Sequence, residues 1–300
     1  MAGEKVLVGF EPDRRGEDAL ALAATAVHGT QGLVTVATIR PAPWSTPGPG
    51  KVDAEWEAYL DAQARENLDR AAEYLGGRGC DVAEYAVGKH RGSGRGLSQL
   101  ASRTKSDMVI IGSAPKGPRT GIALGSTADQ LLHGSPVPVM IAPKGYATRG
   151  LDSFDRVTVA YLRRPESAPA VALAADVAVR RGIPLRLLTF AVGHTAKGKA
   201  AMAMADEQLR RLVEVLESDL ALAAKEAADG SRLTKRQIST EVAEGKDTAS
   251  AVAATDWTDG DLLVCSSSTA GPIKKVFMGD MSLKIVRAAP CPVMVLPRTR

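Results

Sequence analysis

The sequence predicts an α/β protein made of two tandem open five-stranded parallel sheets, each doubly wound with helices on both faces. Three observations lead there. The chain matches itself: Asp107-Met-Val-Ile-Ile-Gly-Ser113 lies over Asp261-Leu-Leu-Val-Cys-Ser-Ser267, an offset of 154 residues. The same offset carries Gly125 onto Gly279 and Pro136-Val-Pro-Val-Met140 onto Pro290-Cys-Pro-Val-Met294, the mark of a repeated unit. Within each half, short β-rich runs alternate with longer helical ones, and continuous apolar runs such as Met108–Ile111 suit central strands covered on both faces. The repeat divides the chain into domains 1–147 and 152–300, each near the size of about 150 residues expected of one domain.

The elements follow in order. Val6-Leu-Val8 reads as the first strand, an Ala/Leu-rich helix begins near Gly16, and Leu33–Ile39 is the second strand. A helix from Val52 to Leu75 carries Trp56, Leu60, Ala64 and Leu68 on one face at the spacing of about four that one helical stripe requires. Then come a strand Val82–Val87, a helix around Leu97–Arg103, the strand Met108–Ile111, a glycine-rich loop, a helix Ser126–His133 and a closing strand Val137–Ile141. The second half repeats the series, with Arg156–Tyr161 as its first strand and Leu209, Leu212, Leu216 and Leu220 on its long helix.

Composition bounds the function. Hydrophobic residues make up 45% and charged residues 24%, the balance of a chain with a packed core. Net charge is +4, from 38 Lys and Arg against 34 Asp and Glu, without a basic tail or the aromatic interleaving that stacks bases, so no nucleic-acid partner is expected. No apolar run approaches the roughly 18 residues of a membrane span, and the start lacks a signal-peptide core. The expectation is a cytoplasmic chain without a membrane partner. Cys80, Cys265 and Cys291 form no CxxC pair, and His28, His90, His133 and His194 share no ligand spacing, so neither a disulfide framework nor a metal site is expected. Neither a Gly-x-Ser-x-Gly elbow nor a Gly-x4-Gly-Lys-Ser/Thr loop occurs, which argues against a hydrolase triad and a motor-type NTPase.

The chemistry-bearing segment is Gly112-Ser-Ala-Pro-Lys-Gly-Pro-Arg-Thr-Gly-Ile-Ala-Leu-Gly125-Ser126-Thr127, which leaves a buried strand and ends at a helix start. Glycines let a backbone approach an anion, and hydroxyls beside the free N–H groups of a helix start suit phosphate. A tight turn also needs glycine for steric reasons alone. In open α/β sheets ligands sit at the carboxyl ends of the strands, near the topological switch point, so the residues after Val8 and Ile111 are the first candidates. A second segment, Gly88-Lys-His-Arg-Gly-Ser-Gly-Arg-Gly96, reads as a flexible loop entering the next helix, with an anion clamp through Lys89, Arg91 and Arg95 as the other reading. Trp44, in a Pro/Gly-rich loop, either covers a ligand or packs on the following helix.

Each half resembles a universal stress protein domain over nearly its whole length, and the whole chain resembles the tandem members of that family. The resemblance rests on the short first strand followed by an acidic position, the strand–Gly-Ser–loop–Gly-Ser element, and the closing Ser135-Pro-Val-Pro-Val-Met-Ile-Ala-Pro143. It implies an open five-stranded parallel sheet and, in the members that bind ATP, a loop Gly-x2-Gly-x9-Gly-Ser/Thr with an aspartate after the first strand. In the first half Gly112, Gly125 and Ser126 match, Pro115 stands at the middle glycine and Glu11 at the aspartate. Gly117 returns freedom to the loop, Thr127 adds a hydroxyl, and Lys116 and Arg119 either balance phosphate charge or are solvated loop cations. In the second half Ser266, Thr269, Asp280 and Leu162 replace the corresponding residues. A carboxylate at Asp280 repels a polyphosphate while capping a helix well, so that half is expected to have lost the site and to act as a built-in partner.

The implied function is a non-enzymatic stress-response protein whose first domain binds ATP or another adenine nucleotide, with Mg²⁺ accompanying a triphosphate. The resemblance also implies an intramolecular pseudo-dimer and further self-association through the closing strands Val137–Ile141 and Val293–Leu296. Two other readings stay open: a nucleotide-free module that binds a regulatory protein, and a slow ATPase.

Overall fold

The computed structural model describes residues 4–42, 50–116, 121–164, 167–193, 199–267 and 280–297, with positions 50–53, 199–203 and 280 described in backbone only. The chain separates into two compact units, one running through Ser153 and the other starting at Phe154.

The first unit runs β1 (Lys5–Gly9), α1 (Arg14–Val27), β2 (Leu33–Arg40), α2 (Gly50–Leu75), β3 (Val82–Lys89), α3 (Ser93–Thr104), β4 (Met108–Gly112), α4 (Ser126–Gly134) and β5 (Val139–Ala142). Its strands are all parallel, in the order β3-β2-β1-β4-β5. The order reverses between β1 and β4, and that is where the crevice of such a sheet opens. Leu7, Val8, Val109 and Ile110 have no exposed surface, as strands covered by helices on both faces require.

The second unit has the same plan: β6 (Arg156–Ala160), α5 (Ser167–Arg181), β7 (Leu185–Val192), α6 (Lys199–Gly230), β8 (Ile238–Gly245), α7 (Thr248–Ala254), β9 (Asp261–Cys265), α8 (Asp280–Ala288) and β10 (Val293–Val295). Its strands are parallel in the order β8-β7-β6-β9-β10.

Local chemistry explains where elements begin. The Asp13 side chain accepts from the amides of Arg15 and Gly16 at 3.0 and 3.1 Å, an N-cap that starts α1 two residues ahead of the Gly16 read from the sequence. On β2, the buried Arg40 guanidinium meets Asp61 and Glu57 at 2.6 Å each and fastens α2 to the sheet. Two expected boundaries are corrected. The Gly88–Gly96 segment is not a flexible loop into a helix at Leu97, because α3 already begins at Ser93. Gly94 and Gly96 lie buried in its first turn, and a β-carbon on Gly94 would collide with the Thr127 carbonyl of α4. The closing strand pairs from Val139 and not from Val137, since Pro138 has no N–H for the ladder.

Candidate functional site

A cavity of about 350 Å³ opens at the carboxyl ends of β1 and β4, within the range of small-molecule sites. Its floor is apolar: Phe10 after β1, Ala37 and Ile39 on β2, Leu97 on α3 and Ile111 on β4. Its rim is polar. Glu11, Arg15, Lys116, Ser126 and Thr127 line it, together with Pro115 and Gly125. Of the seven residues read from the sequence as a binding set, Glu11, Gly112, Lys116, Gly125, Ser126 and Thr127 line this one cavity. Gly117 lies outside the described residues, as do Arg119 and Trp44.

The helix starts decide the electrostatics. The N-cap of α4 is Gly125, which offers no side-chain acceptor to the first turn. Gly125, Ser126, Thr127 and Ala128 all line the cavity. The first-turn N–H groups of α4, carrying the positive end of the helix dipole, therefore meet the recess with no side-chain cap; the carboxylates at hand are Asp129 in the same turn and Glu11 on the cavity lining. Helix α3 also has a glycine N-cap, Gly92, and its Arg95 amide donates to Gln130 Oε1 of α4 at 3.2 Å. Ser93 Oγ and Thr127 Oγ1 share a hydrogen bond of 2.6 Å, which locks the two helix starts together at the rim.

The loop between β4 and α4 is closed at its stem. The Ala123 amide donates to Ser113 Oγ at 2.8 Å, and the Ala114 amide to the Ala123 carbonyl at 2.8 Å. Beyond the stem, the Pro115 carbonyl accepts from Lys144 Nζ at 3.1 Å. Gly112 has a steric reason for being glycine: a β-carbon there would collide with the Arg15 carbonyl at the start of α1. The role in phosphate approach read for Gly112 is thus not needed to explain it, whereas a β-carbon on Gly125 would press on the Ala114 side chain at 3.0 Å and on no backbone atom.

Loss of hydration against the cavity wall raises the Glu11 carboxyl above its ordinary value; Arg15 pulls it down and Asp13 pushes it up. Arg15 is itself held by Asp13 at 2.7 Å. Sequence reading missed Arg15, Ser93 and the whole apolar floor. Ser93 carried a signal, being the hydroxyl residue of a glycine-rich segment at a helix start. The floor residues carried none, because they look like ordinary core.

Matching positions of the second unit differ. Leu162 occupies the place of Glu11, and its amide donates to Ser167 Oγ at 3.2 Å. Ser266 and Ser267 are buried after β9; Thr269, Gly271 and Gly279 lie outside the described residues, and α8 begins at Asp280. The N-cap of α7 is Asp247, whose Oδ1 accepts from the Ser250 amide at 2.7 Å. Burial pushes the Cys265 thiol up to about 12, away from the reactive thiolate. Among the described residues no group of three or more His, Cys, Asp or Glu is placed to hold a metal ion, and no helix is long and apolar enough to cross a membrane.

An open parallel sheet present twice in one chain, with a ligand-sized crevice at the switch point of the first copy, defines a tandem doubly wound α/β protein. The universal stress protein family model matches residues 3–143 and again 153–297. Universal stress proteins of Mycobacterium tuberculosis and Mycobacterium bovis are 34% identical over 297 residues, spanning 97% of this chain and 99% of theirs. The chain belongs to the universal stress protein family, in its tandem form. Among solved structures, a universal stress protein from Archaeoglobus fulgidus superposes with a TM-score of 0.67 at 19% identity, covering 98% of each chain. One from Pseudomonas aeruginosa gives 0.59 at 17% identity, covering 99% of this chain and 94% of the other; both speak for the fold. Membership indicates a role in the stress response, in a family generally regarded as non-enzymatic.

Proposed function

We propose that the first unit binds ATP or another adenine nucleotide as a regulatory ligand and not as a substrate turned over. The observation that carries this reading is the uncapped start of α4 aimed into a cavity whose floor is apolar. The base would lie against Phe10, Ala37, Ile39 and Leu97. The first-turn amides of α4, with the hydroxyls of Ser126 and Thr127, would hold phosphates, and Lys116 and Arg15 would balance their charge. Glu11 would meet the ribose or adenine end. Mg²⁺ would enter with a triphosphate. Of the described residues lining the cavity, Glu11 is the one carboxylate and no histidine is among them, a poor set for activating water.

A second reading, a nucleotide-free module that binds a regulatory protein, is favoured by two observations. Gly112 is explained by the backbone of α1 alone, and Pro115 donates no N–H to a ligand. Calorimetric titration of ATP with Mg²⁺ into the full chain separates the two. The nucleotide reading expects saturation near one ATP per chain, abolished by Ser126→Asp, which copies the residue that begins α8 while suiting a helix start. Absence of heat up to millimolar ATP in the wild type overturns it in favour of the protein-binding module.

A further inference from the structure

The chain that leads out of the first unit is fastened to the walls of the cavity. After β5 it turns at Gly145, where φ is +76°, and forms a short 3-10 turn, Tyr146–Arg149. Four hydrogen bonds hold it. Asp18 of α1, only 5% exposed, accepts from the Gly145 amide through Oδ2 at 3.0 Å and from the Ala147 amide through Oδ1 at 2.9 Å. Thr25 Oγ1, further along α1, donates to the Leu151 carbonyl at 2.9 Å. Lys144 Nζ donates to the Pro115 carbonyl at 3.1 Å.

Each fastening reaches an element of the cavity. Helix α1 carries Arg15 and Gly16, which line the cavity, in its first turn and Asp18 just after them. Pro115 belongs to the loop whose far end, Gly125–Thr127, lines it as well. A second recess of about 850 Å³ lies against Asp18, Lys144 and Gly145, and it shares Arg15 and Pro115 with the cavity. Two residues thus form a common wall between the proposed ligand site and the outgoing segment. Asp18 does not itself line the cavity.

We propose that Lys144–Leu151 is the output element of the first unit, its fastening to Asp18, Thr25 and Pro115 coupled to the state of the cavity. For its ligand the inference rests on the nucleotide reading above; for the coupling it rests on the shared wall alone. A ligand that draws on Arg15 and the Pro115 loop favours the arrangement in which both are held, and by linkage the fastened segment raises ligand affinity by the same factor. Because the next residues of the chain begin the second unit at Phe154, the segment is where ligand state in one unit becomes a property of the chain entering the other.

The test is amide exchange by mass spectrometry on the full chain, with ATP titration in parallel, for wild type, Asp18→Asn and Thr25→Val. Asp18→Asn keeps the side chain's size and one acceptor, so the fold survives. The proposal expects faster exchange over Lys144–Leu151 together with faster exchange at Ser113–Lys116 and Leu124–Ala128, and ATP affinity lowered about fivefold or more, the lower range of allosteric coupling. Thr25→Val shifts both regions in the same direction by less. Faster exchange confined to Lys144–Leu151, with the loop and the affinity unchanged, overturns it. Should the wild type take up no ATP, the nucleotide reading falls, and the coupling is judged on exchange alone: joint acceleration upholds it and acceleration of the segment alone refutes it.

Discussion

Asp107 and Asp261 occupy the same place in the two units, at the start of the fourth strand of each sheet, and do different work. Asp107 is exposed and accepts one amide, that of Lys5, at 2.8 Å. Asp261 has no exposed surface. Its Oδ1 and Oδ2 receive Arg156 at 2.8 and 2.6 Å, Thr158 Oγ1 donates to Oδ1 at 2.9 Å, and the Thr258 amide donates to Oδ2 at 2.8 Å. Arg186, 3% exposed, completes the cluster: it meets Glu241 at 2.7 Å and Asp261 at 3.7 Å, with its guanidinium 5.0 Å over the Trp257 ring. The matching position in the first unit is Thr35.

The difference has a direction. In the first unit polar groups gather at the carboxyl ends of the strands, around a cavity, and the starts of α3 and α4 carry glycine caps. Among the described residues of the second unit, a polar cluster is gathered at the amino ends of β6, β7 and β9, inside the protein, and α7 is capped by its own Asp247. Groups that satisfy one another are not available to a ligand. One fold thus holds an open polar site in one copy and a closed polar network in the other, and the repeat alone would have assigned both copies the same role.

The largest effect that sharpens this contrast is on stability. Asp261→Ala removes the buried carboxylate that the half-buried Arg156 and the buried Arg186 both meet, and breaking such a cluster costs about 3–5 kcal/mol. Asp107→Ala removes one exposed acceptor and costs at most about 1 kcal/mol. Urea unfolding of both variants checks this, and equal losses would erase the distinction. The pH dependence follows the same residue. Burial works to raise the Asp261 carboxyl, but the Arg156 bond, the Thr258 amide and the neighbouring arginine charges outweigh it and hold it below the ordinary value of 3.8. A carboxylate lowered in the folded state stabilises above its unfolded pKa, and that contribution is lost as pH falls through the folded value. Wild type should therefore lose stability on acidification below about pH 4 more steeply than Asp261→Ala.

A smaller effect probes the caps. Asp247 receives the Ser250 amide, and its carboxyl is held below the ordinary value of 3.8 by that bond first. Asp247→Ala removes the cap of α7 and should lower Tm slightly in a thermal melt. No change in Tm would mean that the second unit's helix starts are as open as those of the first.

How much of this was legible in the sequence depends on the distance between partners. The repeat and the alternation of runs revealed both sheets and their element order, because each strand and helix announces itself over a handful of neighbouring residues. The glycine loop was legible for the same reason. The start of α3 was not, since Gly94 and Gly96 look like breakers until α4 and β2 are seen pressing on them. The cavity floor was hidden because Phe10, Ala37, Ile39 and Leu97 are far apart in sequence and chemically ordinary. Asp18 sits among alanines and leucines of α1 and looks solvated. Its partners, the amides of Gly145 and Ala147, lie more than a hundred residues away, and no local pattern points to them.

The finest way to test the contrast is Glu11, the acidic residue for which the second unit has Leu162. Burial raises the Glu11 carboxyl above 4.5, against the pull of Arg15, so at neutral pH the folded state carries a charge it holds less readily than the unfolded chain does. The sign is opposite to that of Asp261: the penalty is present above the raised pKa and disappears as pH falls past the ordinary value. Glu11→Gln should raise Tm slightly at pH 7, and the two melting curves should converge near pH 4. A charge kept at some cost to stability at the mouth of a cavity fits a group retained for a ligand, whereas a loss of stability in Glu11→Gln at pH 7 would show that the carboxylate serves the fold, as the carboxylate of Asp261 does.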